Sequence, residues 1–311
     1  MQLRGAGPAR EGGLEGRGPH VLRALRPANA DLVREQMSER VVGYPGPEGS
    51  HSNAAAAILS PDAVPLGLPS FAAVIEAAAA TDVSLGVLPI ESSLIGPIAE
   101  THDLLFRSPL SIVREATLPI THCVVGLAGT RLERVRVVRS HPAAFEQCKE
   151  LLRGWDVQLV PAATTADAAR EVAETGDAAQ VALAGAEAAR VYGLDVLRAD
   201  VGDKPAAFTR FVAVAPYTLL AGGPGWRTAV TFVTDHQPGA LFRALGPFAQ
   251  HGVNLVQLVS RPLPESPWRY RFDAIVDGHL FDSELRAAFV QLRGMTRELR
   301  VFGSYAAETA R

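Results

Sequence analysis

The chain has 311 residues, 48% of them hydrophobic and 20% charged, and a formal net charge of −3. This length allows about two domains, and the composition is typical of a soluble globular protein. The charge disfavours nucleic acid as a partner, and no apolar run approaches the roughly 20 residues that span a bilayer. Cys123 and Cys148 lack metal or redox spacing. We expect both to be buried free thiols in a cytoplasmic protein.

Residues 1–36 differ from the rest of the chain. They are rich in Gly and Arg and contain no apolar stretch of the kind found in secretory signals. This composition predicts disorder. Met37 is followed almost directly by the first strand-like stretch. Residues 1–36 are therefore interpreted as a disordered extension or a misassigned start.

The first elements are a strand in VVGYPG and a helix in SHSNAAAAIL, for which Ser50 or Ser52 is the candidate N-cap. The glycines between them match no nucleotide-binding loop, and no phosphate-binding lysine follows. A glycine-rich loop before a helix still presents backbone N–H groups to an anion. Gly49 and Ser50 are thus candidates for carboxylate binding, with a simple tight turn as an equal alternative.

A helix in FAAVIEAAAATD and a buried strand in VSLGVLPI come next. The polar residues that follow the strand include Ser92 and Thr101. Open α/β sheets bind ligands at the carboxyl ends of their strands, so this loop is a candidate pocket wall. His102 and Asp103 have no neighbours that complete a metal site, and we expect a solvated imidazole and a helix-start carboxylate.

The alternation of strand and helix continues through RVRVVRSHPAAFEQCKELL, where Ser140 ends a strand and Pro142 begins a helix. Ser140 and Gln147 are seven residues apart, about two turns, so both face one side if Ser140 caps the helix. A further strand, a turn with Thr165 and a helix follow. The pattern predicts an α/β protein with two lobes and a site between them.

The run DKPAAFTRFVAVAP places Thr209, Arg210 and Phe211 at the start of another apolar strand. We expect the hydroxyl and the guanidinium to point together into a cavity at the mouth of this strand. Such a pair suits an anionic substrate with a hydroxyl leaving group. A surface arginine beside a strand-starting threonine is the alternative. After a Gly/Pro-rich stretch, the elements follow the ferredoxin-like order βαββαβ.

Six blocks resemble prephenate dehydratases: GYPGPEGSHSNAAA, GVLPIESSLIGPIAETHDLL, SHPAAFEQCKELL, TTADAAREVA, ALAGAEAARVYGLDVL and DKPAAFTRFVAV. The segment from Trp226 to Tyr305 resembles the ACT regulatory domain that follows many of these enzymes. The resemblance implies a two-lobed catalytic domain like periplasmic binding proteins at residues 37–216. A linker at 217–225 and a ferredoxin-like ACT domain at 226–306 would follow.

The resemblance also implies an activity, the conversion of prephenate to phenylpyruvate, water and carbon dioxide in phenylalanine biosynthesis, with no cofactor or metal. Thr209 matches the family's threonine that donates to the leaving oxygen, and Arg210 matches its anion-binding partner. The implied catalytic residues are Thr209, Ser140, Gln147 and Ser92; the implied substrate-binding residues are Arg210, Gly49, Ser50, Thr101, Thr165 and Phe211.

The ACT resemblance implies feedback control by L-phenylalanine bound at an interface of a homodimer or homotetramer. The implied effector residues are Gly239, Ala240, Leu241, Asn254, Leu255, Ser260 and Arg261.

Four positions depart from the family pattern. Ser92 and Ala207 replace asparagines, His51 replaces an aromatic residue, and Val259 replaces the glutamate of the effector signature. The first three suggest a changed substrate or a weakened activity, and the fourth a changed effector. A prephenate decarboxylase-like lyase that retains the hydroxyl and a non-catalytic sensor therefore stay open as alternatives, and so does arogenate as the substrate.

Overall fold

The computed structural model describes residues 40–204, 207–219, 225–263, 266 and 268–309. The predicted extension at 1–36 and most of the predicted linker lie outside these residues. The described part is an α/β fold with two mixed sheets. None of its helices combines the length and the apolar character that crossing a membrane requires.

The first lobe contains β1 (Val41–Pro45), α1 (His51–Leu59), β2 (Val64–Leu68), α2 (Phe71–Ala80), β3 (Leu85–Ser92), β4 (Gly96–Pro97), α3 (Ala99–Arg107), β5 (Ser111–Ile120) and the returning strand β11 (Ala207–Ala215). The second lobe contains β6 (Cys123–Gly126), a 3₁₀ turn (Leu132–Arg134), β7 (Val137–Ser140), α4 (Pro142–Gln147), α5 (Lys149–Arg153), β8 (Gln158–Pro161), α6 (Thr165–Thr175), β9 (Gln180–Ala184), α7 (Ala186–Tyr192) and β10 (Asp195–Arg198).

The remaining elements form what we call the C-terminal unit: β12 (Trp226–Val233), α8 (Ala240–Gln250), β13 (Leu255–Pro262), β14 (Tyr270–Asp277), α9 (Ser283–Gly294) and β15 (Glu298–Thr309). Their order is βαββαβ. The larger sheet runs β13-β14-β12-β15-β5-β11-β3-β1-β2, with β4 on β3, and so it continues from the C-terminal unit into the first lobe. The second lobe has its own sheet, β10-β6-β9-β7-β8.

Strand β11 is buried on both faces of the larger sheet. Phe211 and Ala213 pack in the apolar cluster that includes Leu59 of α1. Val212 and Val214 pack in the cluster on the other face, with α2 and α3. Successive side chains of a strand point to opposite faces, so this alternation predicts which face Thr209 and Arg210 occupy.

The C-terminal unit is attached to the first lobe by backbone pairing and by charged side chains. The end of β15 pairs in parallel with β5. Asp103 on α3 pairs with Arg261 at 2.5 Å and with Arg271 at 2.8 Å. His102 Nδ1 lies 3.2 Å from Asp273 Oδ2, and both residues are buried. The expected solvated imidazole and helix-start carboxylate are therefore wrong, because the C-terminal unit covers this helix.

Both cysteines are buried, as the sequence predicts. Cys148 lies in the apolar cluster of the second lobe with Val138 and Val181. Burial, with a smaller effect from the nearby carboxylate of Asp203, raises the pKa of its thiol to about 12. A thiol in this state is a poor nucleophile at neutral pH, so its burial reflects packing.

Candidate functional site

Thr209 lies in β11 of the first lobe, between β3 and β5. In the antiparallel register it is opposite Ser92 on one side and Leu118 on the other. Residues that are directly opposite each other share a face of the sheet, so the two hydroxyl-bearing side chains are neighbours. Thr209 is only 9% exposed. The structure thus brings two of the four predicted catalytic residues together.

Arg210 points to the opposite face of the sheet. Its Nη1 lies 3.1 Å from Glu91 Oε2, and its Nε lies 3.5 Å from Glu115 Oε1. The expectation that this guanidinium and the Thr209 hydroxyl enter one cavity is wrong, because adjacent strand residues project in opposite directions. Phe211 returns to the Thr209 face, but there it packs in the apolar core with Val87. Phe211 is buried, whereas the Arg210 side chain is 19% exposed.

The loop between β1 and α1 is where the two lobes touch. Gly49 has a φ of +78°, and a Cβ added to it would lie 2.9 Å from Ala188 Cα in α7 of the second lobe. The Tyr192 hydroxyl, also in α7, donates to the Glu48 carbonyl oxygen at 2.9 Å. The Ser50 hydroxyl accepts from Asn53 N at 3.2 Å and so caps α1, as one of the two sequence alternatives expected. The cap bond uses the Ser50 oxygen as an acceptor. A carboxylate would need the hydroxyl hydrogen as a donor, so the cap does not compete with it.

His51 begins α1 and lies close to Thr121 and His122, which connect the two lobes. Burial, together with repulsion from the nearby His122 and opposed by a contact with the Thr121 backbone, lowers the pKa of His51 to about 4. A Cβ on Gly185, at the end of β9, would lie 3.4 Å from His51 Nε2. The imidazole is therefore a neutral group packed between the lobes at physiological pH.

Gln147 ends α4, and its side-chain oxygen accepts from His122 Nε2 at 2.7 Å. His122 is buried and belongs to the short segment that joins β5 to β6. Its Nδ1 has no hydrogen-bond partner within the described residues. The backbone N–H of Val201, on the second connection between the lobes, donates to the His122 carbonyl at 2.9 Å. The sequence analysis did not identify His122. Its position directly before the buried strand β6, where the chain passes from one lobe to the other, could have indicated it.

Ser140 is fully buried at the end of β7, and its hydroxyl donates to the Leu183 carbonyl at 2.7 Å. It does not cap α4. His141 does so, because its Nδ1 accepts from Ala143 N at 3.1 Å. The predicted cap is therefore off by one residue, and the Ser140 oxygen keeps only its acceptor capacity.

Two of the predicted threonines are tied to the scaffold. The Thr101 hydroxyl donates to the Pro89 carbonyl at 2.6 Å, and the side chain is fully buried inside α3. It is therefore not part of an open pocket wall. Thr165 is the first residue of α6, whose N-cap is the preceding Thr164. Their substrate-binding role stays a prediction.

The predicted effector residues lie in three separate places. Gly239, with a φ of +76°, precedes α8 and is followed by Ala240 and Leu241. Asn254 and Leu255 lie beyond the other end of that helix, where Asn254 Nδ2 donates to Asp277 Oδ2 at 2.8 Å. In β13, Ser260 is exposed, whereas Arg261 is paired with Asp103 of the first lobe.

Residues 42–218 match the family model described as prephenate dehydratase. An arogenate dehydratase/prephenate dehydratase of Arabidopsis thaliana is 32% identical over 286 residues, 87% of this chain and 73% of that protein. A bifunctional N-acyl-homoserine lactone acylase/prephenate dehydratase of Komagataeibacter europaeus is 34% identical over 275 residues, 88% of this chain and 98% of that protein.

A solved structure of similar sequence is a prephenate dehydratase from Arthrobacter aurescens in complex with L-Phe. It is 31% identical and superposes with a TM-score of 0.78, covering 86% of this chain and 89% of that one. The family match spans both lobes and includes Thr209, Ser92 and Gln147. This chain therefore belongs to the prephenate dehydratase family of enzymes.

Proposed function

We propose that the cleft between the two lobes converts prephenate to phenylpyruvate. The C–C bond to the ring carboxylate breaks to release carbon dioxide, and its electron pair completes the aromatic ring as the C–O bond breaks. The leaving hydroxide takes up one proton and departs as water. The protein must therefore hold a dianion, leave its ring carboxylate poorly solvated and assist the departing oxygen.

The observation that supports the proposal is the antiparallel register of β11, in which Thr209 is opposite Ser92. In the proposed reaction the Thr209 hydroxyl donates to the leaving oxygen. Gln147 approaches from the second lobe, and its amide oxygen is occupied by His122, so its NH₂ group is the part that remains for a carboxylate. Residues of both lobes are thus required, and closure of the lobes completes the site.

The test is to identify the product by mass spectrometry after incubation with prephenate. Wild type should form phenylpyruvate. Thr209→Val, which keeps the shape of the side chain, should lose about 10²–10⁴-fold in kcat. Thr175→Val is the control, because it deletes a hydroxyl that donates to Val172 O at 2.9 Å at the end of α6 and that is not among the predicted site residues.

Each other outcome has a different meaning. A hydroxylated, non-aromatic product would identify a decarboxylase. Unchanged prephenate with measurable binding would identify a sensor. Arogenate is offered in parallel, because the Arabidopsis relative carries both substrates in its name. Equal loss of activity in Thr209→Val and Thr175→Val would remove Thr209 from the mechanism.

The C-terminal unit supports a second part of the proposal, that it is an ACT domain binding L-phenylalanine between two copies of the chain. The segments at Gly239 and Asn254 lie at opposite ends of α8, which has 11 residues. At 1.5 Å per residue these ends are about 16 Å apart, too far to enclose one amino acid within a single chain. A second copy is therefore needed to bring the two kinds of segment together.

Val259 is the position that puts this effector in question, since it replaces the expected glutamate and is buried in β13. Equilibrium dialysis with L-phenylalanine, combined with light scattering, tests binding and assembly together. Saturable binding by a dimer or tetramer supports the proposal. A monomer that binds none would contradict it while leaving the proposed reaction untouched. The cytoplasmic location stays a prediction.

A further inference from the structure

Arg210 was expected to bind the substrate, and its contacts suggest a different role. Both of its partners are glutamates of the neighbouring strands, Glu91 in β3 and Glu115 in β5. The β11–β3 register shifts between Arg210 and Phe211, because Ile90 of β3 has no partner in β11. Such an irregularity bends a strand and re-aims its side chains, so its position depends on what holds the residues at the bend.

Glu115 is a buried carboxylate that two arginines share. It is 1% exposed, and its Oε1 contacts both Arg210 Nε and Arg227 Nη1. Arg227 belongs to β12 of the C-terminal unit, and its Nε also lies 3.7 Å from Asp277. A buried charge is tolerated only when it is paired, so Glu115 depends on both arginines.

The surroundings of Glu115 make the charge hard to replace. Tyr305 of β15 is fully buried beside it. Burial and the negative charge of Glu115 raise the pKa of the Tyr305 hydroxyl well above its usual value. Residues of the first lobe and of the C-terminal unit therefore enclose the carboxylate together, with little water to screen it.

We propose that Glu115 is a positioning residue for the dehydration, acting through Arg210 on the part of β11 that carries Thr209. Glu115 faces away from Thr209 and does not touch the substrate. Because one oxygen serves both arginines, a shift of β12 changes how firmly Arg210 is held. The C-terminal unit is thereby connected to the strand of the catalytic threonine. This inference rests on the proposed function.

The test compares Glu115→Gln with wild type in steady-state assays with prephenate. We expect kcat to fall at least 10-fold while KM changes less than about 3-fold, because substrate contacts are kept and only the orientation of Thr209 is lost. The double variant Glu115→Gln/Arg227→Gln should be no slower than Glu115→Gln alone, because Arg227 acts on Arg210 only through Glu115. Losses of kcat that add in the double variant would contradict this connection.

Asp103→Asn is the matched control. Asp103 also joins the first lobe to the C-terminal unit through two arginines, but it lies on α3 and contacts no residue of β11 among its ion pairs. Its kcat should stay within about 2-fold of wild type. Arg227→Gln alone provides a second variant if Glu115→Gln does not fold, and it should lower kcat with KM unchanged.

Two results would overturn the inference: a Glu115→Gln enzyme with wild-type kcat, or equal losses of kcat in Glu115→Gln and Asp103→Asn. The second would mean that any weakening of this contact between the units slows the enzyme. If wild type itself forms no phenylpyruvate, the proposed function fails first, and the comparison of variants is then made with whichever substrate is turned over.

Discussion

The contact between the lobes at Gly49 leads to a prediction that can be worked out from the structure. A Cβ at this position would lie 2.9 Å from Ala188 Cα. Carbon atoms attract best at about 3.5–4.0 Å, so Gly49→Ala must push the lobes apart by roughly 0.5–1 Å at this point. A misplacement of about 1 Å in an active site can lower the rate about 10²-fold. We therefore expect kcat/KM for prephenate to fall by about that factor.

Gly46→Ala is the control for backbone strain. Gly46 also has a positive φ, +97°, but the nearest atom to an added Cβ is Ser50 Oγ at 3.8 Å, an ordinary contact. Both alanines adopt an unfavourable backbone conformation that costs about 1–2 kcal/mol. Thermal unfolding should therefore show a loss of stability in both variants, and a larger one in Gly49→Ala because its Cβ also clashes with Ala188.

The assay is steady-state formation of phenylpyruvate, measured beside thermal unfolding of the same preparations. Gly46→Ala should retain kcat/KM within about 3-fold of wild type. If the two variants lose activity equally, strain in the loop explains the effect and the contact between the lobes does not. If neither loses activity, the closed arrangement at Ala188 is not the one in which catalysis occurs.

Three further predictions concern the cleft. Folding lowers the pKa of His51 from 6.5 to about 4. Between pH 6.5 and pH 4 the unfolded chain therefore binds more protons than the folded chain. The free energy of unfolding consequently falls as the pH falls through this range. The full shift corresponds to a loss of about 3 kcal/mol in the free energy of unfolding, or about 2 kcal/mol after allowing for partial exposure. In urea unfolding, His51→Phe should not show this loss at low pH. Tyr192→Phe deletes the hydrogen bond to the Glu48 carbonyl and should raise KM about 2–10-fold with kcat kept. His122→Phe leaves the Gln147 oxygen without its donor and should lower kcat/KM about 5–10-fold.

Each of these has an outcome that contradicts it. Equal pH dependence of unfolding in His51→Phe and wild type would mean that this imidazole is not the group that resists protonation. A Tyr192→Phe enzyme with unchanged KM would show that the bond to Glu48 does not help to close the lobes. Additive losses in His122→Phe and Gln147→Leu would show that the two residues act independently, since residues in direct contact normally couple.

Much of the fold follows from local pattern. Near-continuous apolar runs in β3 and in the second half of β11 predict strands in the right places. The start of α1 was also readable, because Ser50, one of its two candidate caps, accepts a hydrogen bond from Asn53 N. One cap was wrong, because His141 and not Ser140 caps α4. Sequence alone distinguishes poorly between two adjacent polar residues as the cap of a helix.

The candidate site was predictable in its residue types and less so in its geometry. The opposite directions of Thr209 and Arg210 follow from the period of a strand and could have been inferred. The partners of Arg210 could not, since Glu115 is 95 positions earlier in the chain. The pairing of His102 with Asp273 likewise joins residues 171 positions apart.

The sequence by itself determined the elements, the division into strand–helix alternation and a βαββαβ unit, and the family, because these depend on local hydrophobic period and on short motifs. Only the tertiary structure decided which polar groups remain available. Ser50, Thr101 and Ser140 use their hydroxyls on neighbouring backbone, and Arg210 is held by glutamates. Buried polar groups must find partners, and those partners are chosen by how distant segments pack together.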